Sequence, residues 1–466
     1  MRRLRLLLLL TAVLATGAAG ASDDLRVTTT ADQFDGACDS QCSLRDAVEV
    51  ANQSPGFQRI RLPAGHYRLD LPAPRDDQGV PYDEDANRNG DLDVRDDLLI
   101  QGAGTALSVI SGLYERGVSP GNDRLLHVLP DARLVLASLT LEKGGTAYNG
   151  GAANNQGQLY LYKVLVQGNN ASTQNPTYAE MPGELGYRSG QGGGIANYGY
   201  LAVHASRFEG NRSWGYGDNN LGRGGAIFNR GTLLVRDSSF SRNLAADDSE
   251  HSAGGGLYNG GLADIARSAF RANSGSEGGR GFAIANDDNG QLKLSNSTLS
   301  GHYGTGGALS NGYYANPASN RPKALLIHVT IAGNSGYGVQ NSGELRIRNS
   351  LIAGNLGVYE DEVTNCRNTG PHYSYQAIGL LRNDEPSNCG ADLFVPFEDS
   401  FTQLLQPLAD NGASTQTHAL RPGSLAVDAA VGSCSSHDQR GIARPQDGDG
   451  DGVAVCDLGA YELTPP

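Results

Sequence analysis

Gly192 to Asn211 reads GGGIANYGYLAVHASRFEGN, and Gly224 to Asn243 reads GGAIFNRGTLLVRDSSFSRN. A third copy, GGGLYNGGLADIARSAFRAN, runs from Gly254 to Asn273. One phrase recurs: a Gly-rich opening, an apolar-x-Asn step, then L-x-V-x-x-S-x-F-x-x-N. A unit this short cannot bury its own apolar face, so its copies must stack and share one continuous core.

Within LAVHASRFEGN, Leu201 and Val203 alternate with Ala202, a strand spacing that sends both to one side. Ser206 and Phe208 form a second short alternating pair. The two-residue break between the pairs is too short for a hairpin and reads as a corner. Asn211 ends the unit, since Asn tolerates the left-handed conformation and can bond its own backbone. Stacked on Asn169, Asn243, Asn273, Asn334 and Asn355, it is placed to build a side-chain amide ladder. The pairs Gly150-Gly151, Gly224-Gly225 and Gly306-Gly307 supply bends that no β-branched residue adopts.

The register extends outward from these copies. LYLYKVLVQGN carries Leu159, Leu161, Val164, Val166 and Asn169 in the same slots, and LRIRNSLIAGN carries Leu345, Ile347, Ser350, Ile352 and Asn355. ALLIHVTIAGN offers Leu326, Val329, Ile331 and Asn334 after a longer loop, and LKLSNSTLSGH puts His302 where Asn is expected. LVLASLTLEKG, from Leu134 to Gly144, reads as an earlier, atypical coil. Three short strands per coil, parallel between coils, predict an all-β, right-handed parallel β-helix. A leucine-rich solenoid needs a Leu/Asn spacing that is absent, and a propeller needs longer antiparallel strands. The held register also excludes a disordered Gly-rich chain.

Composition agrees. In 466 residues there are 64 Gly, one Trp and two Met, which fits many short strands and frequent turns. Arg2, Arg3 and Arg5, then the apolar run Leu6 to Leu14, then Ala19-Gly20-Ala21, read as a secretory signal over residues 1–21. No second apolar run suggests a membrane span. The net charge of −14, more negative once the signal arginines are removed, argues against a nucleic-acid partner and fits a cation-binding exported protein. Six Cys in an exported chain suggest disulfides. Fifteen connectivities exist, and sequence proximity favours Cys38–Cys42, Cys366–Cys389 and Cys434–Cys456.

An open solenoid exposes its core at both ends and needs caps. CSLRDAVEVAN, from Cys42 to Asn52, predicts a short capping helix. Ser43 and Asp46 resemble a capping box, and Leu44, Ala47, Val48 and Ala51 form the apolar stripe. CSLRDA with Cys38 upstream resembles the CSLREA-type N-terminal box of exported bacterial β-helix proteins, with Asp46 replacing Glu. The GGAI and FxxN elements are similar to polymorphic outer-membrane-protein repeats. PLADNGASTQTHAL (Pro407 to Leu420), DQRGIARPQDGDGDG (Asp438 to Gly452) and CDLGAYE (Cys456 to Glu462) resemble the choice-of-anchor C-terminal domain of such proteins. The resemblance implies a pectate-lyase-like solenoid with an exported address; it does not imply a reaction. The expected organisation is a signal over 1–21, an N-terminal cap over 22–97, repeats over 98–395 and an anchor-type domain over 396–466.

DANRNGDLDVRD, from Asp85 to Asp96, fits an EF-hand-type loop with Asp85, Asn87 and Asn89 at positions one, three and five and Gly90 at six. Asp91 would offer a carbonyl, and Asp93 and Asp96 fill nine and twelve. The expected ion is Ca2+. An acidic turn leading into Leu98 to Ile100 is the plain alternative. DGDGDG repeats the first half of such a site with Asp447, Asp449 and Asp451, incomplete unless Asp457 or Glu462 folds back. Gly117-Val118-Ser119-Pro120-Gly121 matches GxSxG, yet Pro120 has no N–H for an oxyanion, so no hydrolase is read from it.

No catalytic residue is assigned. His204, Arg207, Arg236, Asp237, Asp264, Arg267, His328 and Arg348 fall on outward or corner positions. Stacking could gather Asp237, Asp264 and Arg267 as a polyuronide lyase would need, but a solvated face must be polar in any case. The chain therefore reads as an exported, non-enzymatic, adhesin-like scaffold. It is expected to be monomeric, calcium-stabilised and directed to a polysaccharide or cell-surface ligand. The alternative is a polysaccharide lyase or hydrolase acting on acidic glycans.

Overall fold

The computed structural model describes residues 24–465 except 76, 78–81, 117–122, 147–148, 173–189, 216–220, 248–250, 313–320, 358–364 and 384–386. The signal segment, the GxSxG match and most of the loop after Gly312 lie outside the described residues. Three parallel sheets run along the molecule, of twenty, ten and five strands. In the twenty-stranded sheet each repeat adds two consecutive strands, such as Tyr200–His204 and Arg207–Glu209. These pair with Thr232–Arg236 and Ser239–Ser241 of the next coil, Leu201 opposite Leu233 and Phe208 opposite Phe240. Further along, the two fuse into single ten-residue strands, Gln291–Ser300, Lys323–Ala332 and Glu344–Ala353. The chain is a parallel β-helix.

Each slot of the repeat has a physical duty. Leu201, Val203, Leu233, Val235, Phe208, Phe240 and Phe270 are buried in one continuous core. Phe208, Phe240 and Phe270 stack face to face, with centroids 4.9 and 4.5 Å apart. The expected corner turns at one non-Gly residue per coil with φ near +50°: Ala205 at 48°, Asp237 at 53° and Arg267 at 51°. Gly225 faces inward against the next coil, where a Cβ would stand 2.4 Å from the Gly255 carbonyl oxygen.

The terminal Asn ladder is present. The backbone N–H of Asn211 donates to Asn243 Oδ1 at 3.0 Å, and that of Asn243 donates to Asn273 Oδ1 at 3.0 Å. A second buried ladder grows from the apolar-x-Asn step. Asn155, Asn197, Asn229, Asn259, Asn286, Asn311, Asn341 and Asn368 pass amide hydrogen bonds of 2.6–2.8 Å from coil to coil. Ser206, Ser238, Ser268 and Ser297 add a hydroxyl ladder at the corner. Within these ladders the buried polar groups are bonded to their own equivalents one coil away.

Helix Leu44–Gln53 caps the N-terminal end, its stripe Leu44, Ala47, Val48 and Ala51 buried in the core. Ser43 Oγ accepts from the Asp46 N–H at 3.0 Å, as expected of an N-cap. The Asp46 carboxylate turns elsewhere, accepting from Ser43 Oγ at 2.7 Å and from the N–H groups of Asp35 and Gly36. Parallel pairing already begins at Leu25–Arg26 with Gln58–Leu62, inside the stretch read as cap, so cap and first coil are interleaved. All three disulfides favoured by proximity are formed.

Residues after Pro396 do not stack as further coils. They run back along the side of the solenoid and join a second core with Ala332, Leu351, Ala353 and Leu381. The outward positions under this strap are buried Thr298, Thr330 and Leu351, whereas coils beyond it carry Arg207, Glu209, Ser239 and Ser241. Gln439 accepts from Thr298 Oγ1 at 2.7 Å, and His418 Nε2 lies 2.9 Å from Ser300 Oγ.

Candidate functional sites

The acidic loop of Asp85 to Asp96 packs against the cap helix, and a side chain already occupies its carbonyl-lined turn. Arg45 of the CSLRDA box, fully buried, donates to the carbonyls of Gly90 and Asp91 at 2.8 Å and of Asn87 and Asn89 at 3.4 Å. Asp32 receives the other edge of the guanidinium at 2.8 and 3.1 Å. The backbone oxygens that an EF-hand would turn toward an ion are therefore held by a guanidinium.

This redistributes the expected ligands. Asn87 donates its side-chain amide to the Arg45 carbonyl and accepts from the Asp93 N–H, so it braces the loop. Asn89 contributes its backbone, its N–H going to Glu84. Asp96 lies apart, accepting from the N–H of Gly56 and of Asp97. Asp85, Asp91 and Asp93 do converge, but toward His127, which sequence spacing did not single out. Strand Leu92–Val94 pairs with Leu126–Val128 in a register that sets Asp93 opposite His127. Asp83 and Asp91 share Arg124 Nη1, at 2.8 and 3.1 Å. His127 Nδ1 lies 3.2 Å from Asp85 Oδ1, 3.7 Å from Asp93 Oδ1 and 3.9 Å from Asp83 Oδ2.

Electrostatics follow from burying this many carboxylates. Burial, reinforced by Glu84, Asp83 and Asp85, pushes Asp93 up to about 8 against the opposing Asn87 N–H. Burial and the neighbouring Asp123 raise Asp91, and burial takes Asp123 to about 6. Burial and the Arg124 charge lower His127, against the opposing pull of Asp83 and Asp85. Arg124 itself is held more firmly protonated, because Asp91, Asp123 and Asp83 outweigh the cost of burying it.

In the C-terminal loop, Asp447 and Asp449 come within ligand reach of Asp428, a residue missed because it lies far back in sequence. Asp451 is not part of that group; its carboxylate accepts from the Val453 N–H at 2.7 Å. Asp457 and Glu462 fold inward instead. Glu462 pairs with fully buried Arg444 at 2.9 Å, and Asp457 accepts from the Asp428 N–H at 2.8 Å.

The outward face of the long sheet carries the remaining candidates. Arg267 grips Asp237 through two hydrogen bonds of 2.7 Å, and Arg236 pairs with Asp264 at 3.0 Å. His204 Nδ1 lies 3.4 Å from Asp237. The trio Asp237, Asp264 and Arg267 is thus split between two separate ion pairs. His204 stacks on Tyr162 with centroids 5.6 Å apart, and Tyr160 lies 5.5 Å from Tyr200. His328 and Arg348 belong to the strap contact, beside Arg444 and Ser433 respectively. Arg207 remains exposed.

Fold and stapling together define a disulfide-bonded parallel β-helix protein. No family model and no curated protein matches the sequence. Solved structures match at low identity. Pectate lyase Pel9A is 12% identical over 94% of this chain and 96% of its own, with a TM-score of 0.44. The A-module of a mannuronan C-5 epimerase from Azotobacter vinelandii is 15% identical over 80% of this chain and 100% of its own, at 0.36. The catalytic unit of an alpha-1,3-glucanase from Streptomyces thermodiastaticus is 13% identical over 82% and 71%, at 0.32. Identities and scores this low carry likeness of fold and nothing further. Among the described residues, no helix is long and apolar enough to cross a membrane.

Proposed function

We propose that the chain is an exported, monomeric β-helix scaffold that binds a polysaccharide along the outward face of its long sheet without transforming it. The observation that supports this is the band formed by Tyr160, Tyr162, Tyr200 and His204, half-buried and in register on neighbouring coils. Aromatic faces suit the apolar faces of sugar rings, and the band continues into the Arg236–Asp264 and Arg267–Asp237 pairs. A general base must be free to take a proton, yet each carboxylate there is already held by a guanidinium. The three disulfides and the acidic composition suit an extracellular setting.

Calcium enters the same reading at the C-terminal loop. Asp447 and Asp449 with Asp428 supply hard oxygens, and Asp428 Oδ1 is buried with no hydrogen bond of its own. A bound ion would hold the strap closed beside the Cys434–Cys456 disulfide.

Retention on a panel of neutral and acidic polysaccharides tests the reading. The chain should be retained on at least one glycan, and the Tyr160→Ala, Tyr162→Ala, Tyr200→Ala triple variant should lose retention while keeping its circular dichroism. Absence of retention across the panel rejects the scaffold. Release of unsaturated or shortened sugars would turn the reading toward a lyase or hydrolase.

A further inference from the structure

At the N-terminal edge of the ten-stranded sheet, the parallel register stacks Asp93 directly against His127 on the outward side. Both are buried, with residue exposures of 0% and 5%. In each, the polar atom facing the other is left over: Asp93 Oδ1 and His127 Nδ1 form no hydrogen bond among the described residues. A buried acceptor and a buried ring nitrogen left open toward the same point are costly unless a third partner stands between them.

The charges surrounding this point call for a cation. Arg124 is committed to Asp83 and Asp91, and Arg45 to Asp32 and the loop carbonyls. Asp85 and Asp93 have only the His127 ring within ion-pair distance among the described residues. Two carboxylates thus face one imidazole. Asp85 is exposed and leaves the point open to solvent.

We infer that Asp85, Asp93 and His127 form a binding site for a first-row divalent transition metal, with Asp83 at its margin. The chemical class follows from the donor set. Calcium takes oxygen ligands throughout, whereas an imidazole nitrogen beside two carboxylates suits Zn2+ or Mn2+. Spacings of 3.2 and 3.7 Å from Nδ1 to the two carboxylate oxygens bracket the ~3.4 Å edge of a tetrahedron with bonds of ~2.1 Å.

Outer partners are in place as well. Asp93 Oδ2 accepts from the Asn87 N–H at 2.8 Å, which fixes the carboxylate and leaves Oδ1 for the ion. The amide nitrogen Nε2 of Gln156 sits 3.1 Å from His127 Nε2. With Nδ1 on the metal, Nε2 carries the proton and the Gln156 amide turns its oxygen to accept it. The inference does not depend on the glycan reading or on calcium at the C-terminal loop.

The test uses the full secreted chain, stripped with EDTA and exchanged into metal-free buffer. Calorimetric titration with Zn2+, Mn2+ and Ca2+ is run on the wild type, His127→Ala, Asp93→Asn and a control, Asp447→Asn/Asp449→Asn. Wild type and control should bind one Zn2+ per chain at least tenfold more tightly than Ca2+ binds at the same site, with Mn2+ between them. His127→Ala and Asp93→Asn should each lose at least tenfold in Zn2+ affinity. Asp93→Asn is isosteric and keeps an oxygen for the Asn87 N–H, so its metal-free form should melt close to the metal-free wild type, separating a lost ligand from a lost fold. Pulsed electron paramagnetic resonance on the Mn2+ form should show one imidazole nitrogen, absent in His127→Ala. No Zn2+ binding, Ca2+ binding as tight as Zn2+, or unchanged Zn2+ affinity in both variants would each overturn the assignment.

Discussion

His302 stands in the Asn column and reproduces two of the hydrogen bonds of the amide it replaces. Its Nδ1 accepts from the Asn273 N–H at 3.1 Å, and its Nε2 lies 3.1 Å from the Phe270 carbonyl. One coil earlier, Asn273 uses its Nδ2 on the Phe240 carbonyl in the same way. Only the neutral ring with the proton on Nε2 can do this, since a protonated Nδ1 would meet an N–H head on.

An acid sensitivity follows. Burial depresses His302 to about 4 from an ordinary value of 6.5. Above pH 6.5 folded and unfolded chains both hold it neutral, and it adds no pH dependence. Below 6.5 the unfolded chain takes up the proton first, so stability drains away until the folded ring also titrates near 4. The loss sums to roughly 3 kcal/mol at ~1.4 kcal/mol per unit. The urea midpoint of His302→Asn relative to wild type should be clearly higher at pH 5 than it is at pH 8. A gap that stays constant with pH would contradict this.

The Phe column carries a second expectation. Phe240 is stacked between Phe208 and Phe270, so truncation opens a cavity that two neighbouring coils share. Phe240→Ala should cost about 3–5 kcal/mol in chemical denaturation, with Phe240→Leu recovering much of it. A cost below about 1 kcal/mol would mean that the coils collapse around the gap.

Arg45 offers a sharper contrast. Its fork serves Asp32 on one edge and the acidic-loop carbonyls on the other, a geometry that one ammonium cannot match. Arg45→Ala should destabilise the chain by about 3–5 kcal/mol. Arg45→Lys should recover less than half of that in melting experiments. Proteolysis should begin in the 82–91 loop of the Ala variant; cleavage elsewhere first would place the weak point wrongly.

The Asp237–Arg267 pair is the opposite case, because both side chains remain partly exposed at 23% and 34%. A double-mutant cycle should give a coupling of only ~0.2–1 kcal/mol, shrinking in high salt.

Stacking order was legible because a solenoid writes each structural duty once per coil: the Leu, Val, Phe and terminal Asn slots all lie where the repeat puts them. The second Asn column was visible as the apolar-x-Asn step, although its ladder bonds were not. What sequence hid depended on distances across coils. His127 carries no motif, and only the register that pairs it with Asp93 shows its relevance. Arg45 sat in plain view in CSLRDA, but its reach into a loop more than forty residues away has no local signature. Asp428 was invisible for the same reason.

The lateral strap changes what kind of solenoid this is. An open array can gain or lose a coil with little penalty, since each unit touches only its neighbours. Here Thr298 and Ser300 on one coil, Thr330 on the next and Asn349 on the third meet Gln439, His418, Ala460 and Gly459 of one returning segment. That segment acts as a ruler laid against the stack. A coil inserted or deleted beneath it would put the marks out of step, so the repeat number in this stretch is locked rather than free to drift.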